Sequence, residues 1–141
     1  MNLEQAEADI RKFFDAAWTA AFASPNTPPI AWPDIEFTIP ENKTWVRFNC
    51  QENGGQQVGM GDPGNNRFRR FGIVTIQVFQ PRGQGSKDAR TKAAAARDLF
   101  TGAQTTGGVT FQDVSARQVG DDGHGFYQVN VFAPFWYDEI T

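Results

Sequence analysis

The sequence predicts an α+β fold: an antiparallel β-sheet with two helices packed on one face and a long glycine-rich hairpin arm. Three observations predict it. Apolar residues recur at helical spacing near the start and again in the middle of the chain, while the other apolar segments alternate with period two. The alternating segments come as hairpins grouped around the helices, which favours antiparallel pairing over a helix-strand alternation. Between two of them lies a 17-residue stretch, Gln51 to Arg67, with five glycines. At 141 residues, 40% of them hydrophobic and including 13 Phe and 4 Trp, the chain has material for one domain, residues 1–141, with a single buried core.

The first helix is expected over Asn2 to Ala23, with Leu3, Ala6, Ile10, Phe13, Ala17 and Ala20 as its apolar stripe and Phe14 and Trp18 beside it, as further core or as an aromatic patch for a partner. Asn2 with Gln5 three residues on fits a capping box, and Ser24-Pro25 ends the helix. Pro25, Pro28, Pro29, Pro33 and Pro40 leave only the short extended segments Ile30-Ala31-Trp32 and Ile35-Glu36-Phe37. Trp45 to Glu52 alternates Val46, Phe48 and Cys50 against polar neighbours, so Cys50 is read as a small core residue. The glycine-rich stretch follows, without the Gly-Lys-Ser/Thr of a phosphate loop, and is expected to be a flexible arm that orders against a partner.

Phe68 to Gln80 is a long strand with Val74, Ile76 and Val78 on one face. Its first residues interleave Phe68, Arg69 and Phe71, a pattern that also suits base stacking, but no wider RNA-recognition signature accompanies it. Ser86 is positioned to cap a second helix ending near Phe100, with Ala89, Ala93, Ala96 and Phe100 inward and Lys87, Arg90, Lys92 and Arg97 outward. A strand from Val109 to Val119 with a bulge and a closing strand from Phe126 to Trp136 complete the chain. Aromatic residues on both faces of the closing strand place it centrally.

Composition narrows the function classes. One cysteine allows no internal disulfide and is compatible with a reducing cytosol. No apolar run approaches the ~20 residues of a membrane span, and Met1 to Asp9 carries three acids and no cation, unlike a signal peptide. Net charge is −3, no general argument for nucleic-acid binding. It is unevenly spread: residues 67–97 hold eight cations and one acid, Asp88, whereas the flanking segments are acidic. That pattern balances within one copy or lets the basic surface of one copy meet an acidic surface of the next. The best grouping for catalysis is Asp121, Asp122 and His124 in a glycine-rich turn. It lacks calcium-loop spacing, a nucleophile and a paired acid, and a tight turn accounts for its residues; a small metal-dependent hydrolase built on it is the remote alternative. No catalytic, cofactor or metal residues are assigned.

Three ordered segments resemble the small tail terminator, or tail completion, proteins of long-tailed bacteriophages: Pro29-Ile30-Ala31-Trp32; Arg70-Phe71-Gly72 through Gln77-Val78-Phe79-Gln80-Pro81; and Phe126-Tyr127-Gln128-Val129 through Pro134-Phe135-Trp136. Thr106-Gly107-Gly108-Val109-Thr110 fits the approach to the last hairpin. The resemblance implies a virion protein without enzymatic activity, made in the host cytoplasm and placed in the tail or neck. It implies a ring, typically of six copies, that caps the head-proximal end of the tail tube, stops its polymerisation and joins the head connector, with DNA passing through the opening. Another neck or head-completion protein is the alternative. The family pattern pins no interface positions. From the residues themselves, Val58, Met60, Asp62, Arg67, Arg69 and Arg70 are expected to touch the tube or an adjoining subunit, Arg90 and Arg97 to face a neighbour's acids, and the acidic last third to give the opening its negative charge.

Overall fold

Two 15-residue strands with largely period-two alternation form the centre of the molecule. The computed structural model describes residues 1–141 and orders the elements as α1 (Leu3–Ala21), β1 (Ile30–Ala31), β2 (Trp45–Gly59), β3 (Arg67–Pro81), α2 (Lys87–Phe100), β4 (Thr110–Phe111), β5 (Ser115–Asp121) and β6 (Phe126–Ile140). β3 pairs with β6 along its whole length, from Arg67 opposite Ile140 to Pro81 opposite Phe126. The six strands run in the order β1-β2-β3-β6-β4, with β5 also on the outer edge of β6. Pairing is antiparallel except for β1, which runs parallel to β2.

Both helices cover one face. Val46, Phe48, Val74, Ile76, Val78, Val129, Val131 and Ala133 point toward them and form one buried cluster with Ala6, Ile10, Phe14 and Trp18 of α1 and Ala89, Ala93, Ala96 and Phe100 of α2. The Asn2–Gln5 capping box is present in both directions. The apolar stripe of α1 is rotated from the expected one: Phe14 and Trp18 are fully buried, whereas Leu3 is exposed and Phe13 only half-buried. The i, i+4 row from Ala6 to Trp18 carries the largest side chains, and Phe14 stacks on both Phe48 and Phe100, so burying that row removes the most apolar area from water.

Four further expectations are corrected. The second proline-bounded segment, Ile35 to Phe37, is a loop, reached through Asp34 at φ 54°, and it lays Phe37 against Trp45 on the open face. Ser86 precedes α2 but makes no side-chain cap. The buried Gln80 side chain replaces it: its Oε1 accepts from the Ala89 N–H at 2.7 Å, while its Nε2 donates to the Gly85 carbonyl.

The expected strand Val109–Val119 is two strands, because residues 112–114 leave the ladder. Pro134 explains the break. Its carbonyl accepts from the Gln112 N–H, so its nitrogen faces the same edge, and a proline has no hydrogen to give a partner there. Val114 turns inward and is buried.

The largest correction concerns the arm. Gln51 to Gly59 is strand, paired with Arg67 to Ile73 except at the bulged Asn53 and Val58, and only Met60 to Asn66 form the turn. The glycines permit this pairing. Register shifts at Glu52/Gly54 and Gln57/Gly59 mark bulges, and a Cβ on Gly55 would stand 2.9 Å from the Arg69 carbonyl oxygen. What reads as an unstructured loop is a close-packed ribbon extending the sheet beyond the helices.

Candidate assembly surface

The arm is held by charge. The basic start of β3 lies opposite the acidic end of β6, and the register decides who meets whom. Asp138 accepts from Arg69 Nε at 3.0 Å and lies 2.7 Å from Arg67 Nη2; Arg70 pairs with Glu139 at 3.1 Å. Arg69 also lies over the Trp136 ring, 4.0 Å from its centroid. The hydrogen bond from Arg69 is the main reason the Asp138 carboxyl is held below its ordinary pKa. At the tip, the Asn65 N–H donates to the Asp62 carbonyl, Asn66 Oδ1 accepts from the Gly61 N–H, and Asn66 exchanges backbone hydrogen bonds with Thr141. The tip therefore has a definite shape, and from it Met60 projects with 96% of its surface exposed, beside the exposed Val58 and Asp62.

The structure thus separates the eight expected interface residues. Val58, Met60 and Asp62 share the exposed arm. Arg67, Arg69 and Arg70 stand at its base, already paired within the chain. Their partners Asp138 and Glu139 were the missing part of the sequence reading, and only the β3–β6 register reveals them. The same pairing corrects the picture of a freely acidic last third, since Asp121 is also engaged, 2.8 Å from Arg82.

Arg90 and Arg97 are different. Both are exposed on α2, at the opposite end of the sheet from the arm tip, and neither has an acidic partner. They flank a groove of about 580 Å³ between α2 and β5 whose hydrophobic lining is Ala93, Ala94, Ala116 and Val129, beside Thr101 and Gln118. Asp98 also lines it, so its charge is net positive. The groove joins elements distant in sequence, and α2's outward cations were its only sign there.

The remaining chemistry-bearing residues are accounted for structurally. Burial, reinforced by the nearby Glu7 carboxylate, pushes the Cys50 thiol up to about 12, far from a reactive thiolate. In the β5–β6 turn, Asp122 Oδ1 accepts from the His124 and Phe126 N–H groups and Asp121 Oδ1 from Gly123. Both aspartates thereby shape the turn. No three His, Cys, Asp or Glu side chains are grouped to hold a metal ion, and no helix is long and apolar enough to cross a membrane.

A single helix-covered sheet with a protruding ribbon and an open groove at its far end defines a small α+β protein whose surface features suit assembly. A solved structure shares the fold, with a TM-score of 0.64 over 96% of this chain and 95% of the other, at 22% identity. No curated protein matches. The family model described as "Phage tail terminator protein" matches residues 7–131. The chain belongs to the phage tail terminator family, and its role is that of a structural component of a phage tail.

Proposed function

We propose that this chain closes into a ring on the head-proximal end of the tail tube, halts tube polymerisation there and offers its outer surface to the head connector, while DNA passes through the opening without sequence recognition. Membership of the tail terminator family carries this reading. The distribution of sticky surface supports it: an exposed ribbon tip at one end and unpaired arginines at the other are different patches, and a contact between unlike patches repeats head to tail and closes when the rotation permits.

The test is mass by light scattering, alone and with polymerising tail-tube protein of the same phage. Assembly into a ring of several copies, with tubes arrested at defined length, is the expected result. A chain that stays monomeric and leaves tube growth unchanged overturns the reading. A chain that binds head-completion proteins but leaves tubes growing assigns it to another part of the neck.

A further inference from the structure

We propose that the groove between α2 and β5 receives the arm tip of a second copy of this chain, with Met60 seated on the alanine and valine floor and Asp62 against Arg90 and Arg97. The proposal rests on the ring reading and specifies the joint between its subunits.

Charge selects the occupant. Five ion pairs of this chain engage Arg11, Arg67, Arg69, Arg70 and Arg82, whereas the arginines flanking the groove, like Arg47 and Arg117, have no internal acid. The arm tip offers the complement: Asp62 is exposed and forms no ion pair. Two residues from it is Met60, at 96% exposure the most exposed of the large hydrophobic side chains. An unbranched thioether side chain adapts to a shallow floor of small residues.

Reach excludes the chain's own tip. Arg67, at the base of the turn, stands opposite Ile140, while Val129 in the groove lies further down the same strand. The eleven residues from 129 to 140 span roughly 37 Å at ~3.4 Å each, and β3 is paired along β6 without a break over that span. Only another molecule's tip can fill the groove. Because donor and acceptor patches lie at opposite ends of the subunit, each copy gives one tip and receives one.

The test uses Met60→Cys and Ala94→Cys in the full chain, assembled with polymerising tail-tube protein and then mildly oxidised. Ala94 is exposed, whereas the one native thiol, Cys50, is partly buried against the core, and the single variants control for it. The double variant is expected to give a ladder of covalent dimers, trimers and higher species. A mixture of the two single variants should stop at dimers, and each single variant alone should give no product. Arg97→Glu should weaken association by roughly tenfold or more, and adding Asp62→Lys should restore most of it. Multi-copy caps on tubes without any cross-link would overturn the arm-in-groove joint and leave the ring intact. A chain that neither oligomerises nor arrests tubes overturns the joint and the ring together.

Discussion

The β3–β6 ladder is one continuous pairing, yet its two ends are held by different forces. Under the helices, Val74, Ile76 and Val78 face Ala133, Val131 and Val129, all of them buried, and Phe14 and Phe100 close over them. Toward the arm the same strands carry Arg67, Arg69 and Arg70 beside Asp138 and Glu139, with carboxylates and guanidiniums partly in water. Apolar burial stabilises the first end, whatever the salt or pH near neutrality. Charge pairing organises the second, where each pair contributes little and is screened by salt. The molecule therefore has a firm body and a weaker, adjustable ribbon, and the arm-tip residues proposed to meet a second copy project from the ribbon. Low local stability at a contact segment is common in proteins, because such segments must adapt on binding.

The comparison is broken most directly at the body. Phe14→Ala should cost about 3–5 kcal/mol, because it empties a site stacked on Phe48 and Phe100. Urea unfolding should show body and ribbon lost in one transition; a shift below about 1 kcal/mol would mean that the helix-covered core is not what holds the sheet. The junction comes next. A Cβ on Gly72 would lie 2.4 Å from Phe135 Cζ and 2.7 Å from the Gln51 carbonyl. Gly72→Ala should cost about 1–3 kcal/mol, and because it sits where the core meets the ribbon, tryptophan fluorescence should report both ends disturbed.

This division also explains how much was legible in sequence. The body was legible: the period-two faces of β3 and β6, the alanine stripe of α2 and the Asn2 cap are local patterns, and local patterns set them. The turn of α1 toward Phe14 and Trp18 was not, because helical spacing permits two adjacent stripes and only the shape of the sheet chooses between them. The ribbon was misread as a loop for a related reason. Glycines at 54, 55 and 59 lower strand propensity, yet here they allow bulges and a close backbone approach. Residues 58, 60 and 62 were proposed as contacts from their glycine-rich setting, and the structure leaves them exposed. Beyond α2's outward cations the groove left no sign, since α2, β5 and β6 build it from positions up to 39 residues apart, Arg90 to Val129.

At the ribbon, smaller effects are expected. Asp138→Asn removes the acid shared by Arg67 and Arg69 and should lower global stability by only about 1 kcal/mol, while amide exchange of Phe68 to Phe71 accelerates and the body stays protected. Acid should mimic it. The folded carboxyl of Asp138 sits below its unfolded value, so its contribution is fully present above the unfolded carboxyl range and disappears as pH falls through the lower folded value. The Trp136 indole N–H, under Arg69, should shift in the NMR spectrum over that acidic window and in high salt, while the Trp18 indole, bonded to the Pro28 carbonyl in the body, stays put. Trp18 and Trp136 moving together would erase the distinction between the two ends.

The smallest effect isolates what makes the ribbon pairs matter. Arg82 and Asp121 form an ion pair as short as those of the arm, at 2.8 Å, and the Arg82 hydrogen bond is the main reason the Asp121 carboxyl is also held low. Both side chains are at least half exposed, however, against 15% exposure for Asp138. If distance set the contribution, Arg82→Ala would equal Asp138→Asn. If exclusion from water sets it, Arg82→Ala should leave the urea midpoint and the arm's amide exchange unchanged within error. The second outcome is expected, because the turn keeps its own support: Asp121 still accepts from the Gly123 N–H, and Asp122 from those of His124 and Phe126. Equal losses in the two variants would show that the length of the ion pair, and not its exclusion from water, sets what it contributes.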